Sequence, residues 1–549
     1  MNDRAPDQAM ETLEIERGAL VATVRGLRDE AGFDMLLDVT AVDWPERSPR
    51  FDVVYHLYST RSFLRLRIKV GVDADDPTID SLVAIYGAAQ FAERECHDMY
   101  GIDFRGNKDL RPILLYEGFR GHPLRKDYPI RKEQPLVPER TGPGASSSES
   151  IANPATSAFG ASDDAVVVSI GPSHPATHGT IQIFAALDGE RVKRADVHCG
   201  YLHRGFEKEC EAHTWHNLIP YVDRLNYCSG LINNFAYCAA VEKLMGIEVT
   251  PRTKYLRTLL SEYSRLCDHL TCVAAGLMEL GAMTAFLYLV MIRDHMYEHI
   301  AALTGARVTY TYGRIGGLAR DLPEGWLKRL EEIFVQYGDF IGRVHGLVDR
   351  NRIFIDRMRD VGVLTTAQAI DLGVTGPMLR STGCPRDLRK DTPYLAYAEL
   401  DFNVPVGIKG DNYDRYYVRM REMDESVYMM RQLAGMLPAG PINVDDRRCS
   451  FPDKTLVYSE IESLINHFKL VSDGPIFPVC ETYVAHESPN GELGFHLVST
   501  GGGTPYKVHV RSPSFVHMGA AAVMLEGYQL ADVVPTFGSI NMIGGECDR

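Results

Sequence analysis

The chain has 549 residues and 45% hydrophobic content, enough for two to four domains and a sizeable core. Its formal charge of −15 argues against nucleic acid as a partner. Eleven cysteines with no CxxC pair argue against a disulfide or zinc framework and against an iron–sulfur cluster on this chain; they fit reduced thiols in a cytosolic compartment.

The opening, MNDRAPDQAM, is polar and has no signal-peptide pattern. Residues 1–130 read as a small α/β domain. A helix is predicted over Glu11–Ala31, followed by strands at FDVVYHLYS (Phe51–Ser59) and FLRLRIKV (Phe63–Val70) across a short polar turn, then a helix around Ser81–Glu95. The tail Gly106–Pro129 is rich in Gly, Pro and basic residues and buries little of itself, so it is expected to lie against something else. Between residues 131 and 164 the chain becomes Pro/Ser/Gly/Ala-rich, which predicts a flexible linker between independent units. The second unit, 165–549, opens with a strand (Ala165–Pro172). It has a helical middle over Glu207–Gly305, further helices around Gly325–Val348 and Asn412–Leu437, and a strand- and loop-rich end. The fold class is α+β, in two domains.

One stretch imitates a membrane span: from Leu270 to Ile292 the only charge is Glu279. Upstream, Leu256, Leu259, Leu260, Tyr263, Leu266 and Leu270 recur at helical spacing amid Arg257, Glu262, Arg265 and Asp268. This predicts an amphipathic helix running into a fully buried one rather than a transmembrane segment. A buried Glu279 must be paired or titrate near neutrality, as either a relay group or a salt-bridge carboxylate.

The chemistry-bearing motifs lie in the second unit. GPSHPATHGT (Gly171–Thr180) puts His174 and His178 in a Pro-punctuated strand-to-turn connection, where i,i+4 spacing does not count as metal-ligand spacing. PYVDRLNYCSG (Pro220–Gly230) sets Tyr227 behind Asp223-Arg224, a pair able to fix the turn by a charge-assisted bond. No cysteine cluster, nucleotide loop or hydrolytic triad accompanies them, which suits a site that receives electrons from elsewhere and manages protons itself. HMYEH (His295–His299) matches a zinc-protease pattern but reads as a chance match on an amphipathic helix. Gly501–Gly503 lacks the ending of a phosphate loop and reads as a tight turn.

These residues suffice for a family resemblance. Residues 33–130 resemble the 30 kDa subunit of respiratory complex I through AERECHDMYGIDFRG (Ala92–Gly106) and GHPLRKDYP (Gly121–Pro129). Residues 165–549 resemble the 49 kDa subunit through GPSHPATHG, GYLHRGFEK (Gly200–Lys208), GRIGGLARDLP (Gly313–Pro323), GVTGPMLR (Gly373–Arg380), GDNYDRYYVRMREMDES (Gly410–Ser426) and GECDR (Gly545–Arg549). Together they resemble the fused C/D subunit of bacterial NADH–quinone oxidoreductase. The resemblance implies a helix-rich second domain like the nickel–iron hydrogenase large subunit without its metal ligands, Ile543 and Glu546 standing where a hydrogenase has a CxxC pair. It implies no metal and no cofactor on this chain, with FMN and iron–sulfur clusters on partner subunits. The implied partners are the subunit that holds the terminal 4Fe-4S cluster, an adjacent ferredoxin-like iron–sulfur subunit and a membrane subunit forming the quinone channel. The implied location is the cytoplasmic face of the bacterial inner membrane, peripheral and held by the complex.

For the site, the resemblance implies that His178 and Tyr227 bind the quinone headgroup, that His174 lies nearby, and that Glu279 pairs with His178 in a position where the family carries aspartate. Other departures are Asn541 for a common aspartate, Asn490 for a common lysine, and Pro385-Arg386 where a tryptophan is common. A phenol and an imidazole suit the two protons of quinone reduction, and a carboxylate suits the orienting role. The rival readings are a metal-bearing hydrogenase, a zinc protease, a scaffold with the quinone bound elsewhere, and a related dehydrogenase with a different electron-input module.

Overall fold

The computed structural model describes residues 10–131, 134, 166–177 and 179–549. The linker expected at 131–164 falls almost wholly outside these residues, as does His178.

The first unit is a four-stranded sheet of β1 (Glu11–Ile15), β2 (Met35–Asp43), β3 (Phe51–Tyr58) and β4 (Arg65–Val72) in the order β1-β4-β3-β2. Within it only the β1–β4 pairing is parallel. The helix predicted over Glu11–Ala31 is corrected: Leu13 and Ile15 alternate with polar residues, so Glu11–Ile15 pairs with β4 as an edge strand, and helix α1 spans only Leu20–Asp29. The helix predicted at Ser81–Glu95 is displaced to α2, Ala89–Tyr100. The Glu93 carboxylate accepts the Leu82 N–H and the Ser81 hydroxyl, each at 2.7 Å, which folds residues 81–88 back over the helix as a loop. A two-stranded pair, β5 (Thr78–Asp80) with β6 (Asp103–Arg105), flanks it.

The second unit opens on a three-stranded meander, β7 (Val166–Ile170), β8 (Gln182–Asp188) and β9 (Arg191–His198). Near its end stands an antiparallel sheet of β10 (Val479–Glu487), β11 (Glu492–Thr500) and β12 (Lys507–Arg511), with Gly501–Gly503 in the β11–β12 turn. Its helices include α3 (Phe206–Ala212), α4 (Gly230–Met245), α5 (Pro251–Glu279), α6 (Met283–Thr304), α7 (Trp326–Val348), α8 (Asn412–Met436), α9 (Pro513–Leu525), α10 (Val533–Ile540) and the single turn α11 (Gly544–Cys547).

The two units share a core. One buried cluster joins Leu36 and Tyr86 of the first unit to Ile181, Met378 and Phe515 of the second. Strands β2 and β3 are buried along their whole length because the sheet of β10–β12 covers their outer face. There Val42 and Val54 meet Val498, the His56 ring lies 4.4 Å from that of Tyr483, and Trp44 stacks on Tyr506 at 4.5 Å. Arg65 pairs with Glu492 at 2.6 Å, and Arg386 lies 4.3 Å over the Tyr58 ring. The basic tail is clamped between the units: Arg111 pairs with Asp196 at 2.9 Å, and Lys126 with Glu211 at 2.8 Å. Gly200 sits against the Ile113 and Leu114 carbonyls so closely that a Cβ would come within 2.8 Å of both.

The Leu270–Ile292 stretch is not one buried helix. It is a hairpin: α5 ends at Glu279, Gly281 turns at φ 82°, the Ala282 N–H bonds back to the Leu277 carbonyl at 2.8 Å, and α6 begins at Met283. The polarity is the reverse of the expected one. Arg257, Glu262, Arg265 and Asp268 are fully buried, while Met278, Met283, Leu287 and Met291 at the apolar tip are exposed. The charges are tolerated because each is partnered, as burial requires. Arg257 grips Glu242 at 2.6 and 2.8 Å; Glu262 accepts from Arg265, Arg389, Tyr397 and Ser426. No helix of the described residues is long and apolar enough to cross a membrane.

Candidate headgroup site

Three segments build the candidate site. The first is the turn carrying Tyr227. Asn226 is followed by a 3-10 turn, Tyr227–Ser229, that packs on α5. The Asn226 side chain caps this turn, accepting the Cys228 N–H at 3.0 Å, and donates to Asp268 at 2.8 Å; Asn233 bonds the Asn226 carbonyl at 2.9 Å. Asn226, Cys228 and Ser229 are buried, yet Tyr227 between them is 44% exposed. Partial burial, with Cys228 and Asp268 nearby, raises the pKa of its phenol, so the hydroxyl remains a donor at neutral pH. The pairing expected between Asp223 and Arg224 is replaced. Asp223 instead accepts from Asn234 and from the Thr311 amide and hydroxyl, at 2.5, 2.5 and 2.9 Å, and Arg224 donates to the Pro220 carbonyl. Burial raises the Asp223 pKa to about 6.

The second segment is the loop between β7 and β8. As expected from its prolines it is not an α-helix: Pro175–Thr177 form a 3-10 turn, His174 bridges to Gly179, and the His174 carbonyl accepts the Thr177 amide and hydroxyl at 3.0 and 2.8 Å. His174 is exposed. The turn packs on α10, and α10 packs on α5. Glu279, half-buried at the end of α5, presses its carboxylate on Gly538 of α10, where a Cβ would lie 2.3 Å from Oε2.

The third segment is Ile543–Arg549. Gly545 lies against the Arg224 and Leu225 carbonyls of the Tyr227 loop, and Gly544 against Thr180 and Leu202. The Leu202 N–H donates to Asp548 at 2.9 Å, His203 bonds the Asp548 carbonyl at 3.1 Å, and Arg549 grips Glu95 of the first unit at 2.7 and 2.8 Å. The same strip of chain therefore touches the Tyr227 loop, the His174 loop and the first unit.

Sequence reasoning missed a buried polar chain beneath these loops. Asn541 donates to Asp268 at 2.7 Å and to Asn490 at 2.5 Å; Asn490 donates to Glu546 at 3.4 Å; Ser514 donates to the same Glu546 oxygen. Asn541 and Asn490, two of the positions expected to differ from the family, touch. Their contact joins two positions 51 residues apart, which the sequence shows only as separate residues. Burial, opposed by the Ser514 and Asn490 bonds and reinforced by Asp268, raises the Glu546 pKa to about 7.

His295 and His299 have separate partners. His295 bonds Gln336 at 2.7 Å, whereas His299 stacks on Trp326 at 4.1 Å and bonds its carbonyl at 3.0 Å. Burial lowers the His299 pKa to about 4.

Residues 13–134 match the family model described as the 30 Kd subunit of respiratory-chain NADH dehydrogenase, and residues 279–549 the model of its 49 Kd subunit. The NADH-quinone oxidoreductase D subunit of Pelobacter propionicus is 68% identical over 384 residues, covering 70% of this chain and 95% of the relative. The C/D subunits of the same enzyme from Bdellovibrio bacteriovorus and Methylococcus capsulatus are 42% and 37% identical, each over 98% of this chain and over 95% and 94% of their own lengths. A match to both subunit types in one chain, aligned nearly end to end with fused relatives, shows that this chain belongs to the fused C/D family of NADH-quinone oxidoreductase subunits, respiratory complex I.

Proposed function

We propose that this protein forms the quinone headgroup site of the complex, with Tyr227 and His178 as headgroup ligands and proton donors and Glu279 as the group that orients His178. One observation carries the reading: Tyr227 alone projects outward from a turn whose neighbours are buried and bonded. A rigid turn presenting one phenol is a preorganised donor. Reduction takes two electrons and two protons in total, converting both carbonyls of the quinone to hydroxyls with one proton to each oxygen. The electrons arrive from an iron–sulfur cluster held by a partner subunit, and FMN belongs to another partner. Tyr227 donates a hydrogen bond to one carbonyl oxygen, stabilising charge as it develops, and supplies a proton; His178, by its place in the HPxxH motif, serves the other. Glu279 is supported by its contact with Gly538 on the helix that the His174 loop packs against. His174 is assigned only a neighbouring position.

The exposed apolar tip formed by Met278, Met283, Leu287 and Met291 supports a covered face at the end of the α5–α6 hairpin. Its occupants are the holder of the terminal cluster and the membrane subunit that forms the quinone channel, while the ferredoxin-like partner docks elsewhere. The chain lies peripherally on the cytoplasmic face, and quinone reduction there couples to proton translocation by the membrane subunits. Residues 1–130 form the 30 kDa-like unit, 131–164 the tether, and 165–549 a hydrogenase-like unit that has lost its metal ligands.

The test is Tyr227→Phe in the intact complex. Losing a bond to a charging oxygen costs about 1.5–3 kcal/mol, so quinone reduction should fall by roughly tenfold or more. NADH oxidation by an artificial acceptor that takes electrons upstream should be spared. Unchanged quinone reduction refutes the assignment.

A further inference from the structure

We infer that Glu546 is a positioning residue for this headgroup site: its buried carboxylate orients the side-chain series Asn490–Asn541–Asp268–Asn226, and its ionisation tightens the turn that carries Tyr227. The inference rests on the headgroup reading above and names a group that reading does not use.

The series has a direction. Asn541 spends both amide hydrogens, one on Asp268 and one on the Asn490 carbonyl oxygen. That leaves the Asn490 amide nitrogen facing Glu546 Oε2, which also accepts the Ser514 hydroxyl. At the other end Asp268 accepts from Asn226, whose carbonyl oxygen caps the Tyr227 turn. Two carboxylates thus anchor a bridge in which every amide orientation is set by the acceptor at its end, and all five residues are buried. An amide bridge does not conduct protons as water does; it transmits orientation. Ionised Glu546 is the stronger acceptor and holds Asn490, and through it Asn541, in register. A proton on Glu546 weakens that hold and releases the constraint on Asp268 and Asn226.

Several features favour Glu546 as the titrating member. Its Oε1 is buried and has no hydrogen-bond partner among the described residues, which leaves a place for a proton. Asp268, facing the bridge from α5, disfavours a second negative charge, and burial acts in the same sense. The other ionisable groups nearby are otherwise engaged. Arg419 of α8 donates to the Ser539 and Ile540 carbonyls, Arg549 is paired with Glu95, His517 of α9 is held neutral by burial, and Asp548 is bonded to the Leu202 amide. The Gly544–Glu546 backbone also touches the Tyr227 loop and the His174 loop, so movement of Glu546 reaches Tyr227 by a second route.

The experiment measures KM and kcat for a short-chain quinone across the neutral pH range, in intact wild-type, Glu546→Gln, Ser514→Ala and Tyr227→Phe complexes of verified composition. The wild-type KM should rise toward acid by roughly two- to tenfold, the span of one neutral hydrogen bond. Glu546→Gln should abolish this step, because glutamine keeps the shape but cannot ionise. Ser514→Ala removes a donor that favours the charged form, so the step should move to higher pH. Upstream artificial-acceptor activity should not change. A Glu546→Gln profile superimposable on the wild type, or a step unmoved by Ser514→Ala, overturns the inference. If Tyr227→Phe costs activity while Glu546→Gln keeps the step, only this inference fails. If Tyr227→Phe costs nothing, the headgroup reading fails and the inference falls with it.

Discussion

Gly538→Ala separates the position of Glu279 from its charge. A Cβ at Gly538 would meet Glu279 Oε2 at 2.3 Å, whereas ordinary contact begins at 3.4 Å. The carboxylate must therefore retreat by roughly 1 Å, since dispersion contacts turn steeply repulsive at shorter range. The cost to stability is small. The displaced atom ends a flexible side chain, and alanine gains about 0.5–1 kcal/mol over glycine within a helix. The cost to chemistry is larger if Glu279 orients a proton donor, because a misplacement of about 1 Å can cost up to roughly 100-fold. Quinone turnover in the intact complex should fall about tenfold or more, with the melting temperature and upstream acceptor activity near wild type. In a Glu279→Asp background the shorter side chain avoids the clash, and Gly538→Ala should add little. The same fractional loss in both backgrounds, or no loss in either, would falsify the orienting role of Glu279.

His509 links the units between Asp38 and Glu207 at 2.7 and 2.6 Å; burial opposes its charge, but the two carboxylates outweigh burial and raise its pKa to about 9. Because this exceeds the ordinary 6.5, its stabilisation is complete below that pH and fades as pH rises through about 9. Melting temperature should drop on that alkaline limb, and His509→Gln should flatten the limb; an unchanged slope would count against the pairing. Asn541→Asp sets a carboxylate against Asp268 and should cost roughly 2 kcal/mol or more, while adding Asn490→Lys should recover most of the loss, giving a double-mutant coupling above about 1 kcal/mol. Additive losses would mean that the two positions act independently. Cleavage within 131–164 should leave both halves associated, because their sheets pack face to face; separation on size exclusion after cleavage would contradict this.

The local sequence determined the elements whose signals are local. The proline-punctuated His174 loop, the helices Trp326–Val348 and Asn412–Met436, and the family itself were legible from residue types and motifs read in order. Glu11–Ile15 was misread because a five-residue alternating edge strand pairs with a partner about 55 residues away, and no local pattern records that pairing. Only tertiary structure decided which faces are solvated. Charge on α5 implied water, but Arg257, Glu262, Arg265 and Asp268 find partners on other elements that remove the cost of burial, while the methionines of the hairpin tip stay exposed. The outer face of β3 became an interface for the same reason. The bridge from Glu546 to Asn226 is assembled from positions 546, 490, 541, 268 and 226, and hydrogen bonds between residues so far apart have no periodicity for a sequence to display.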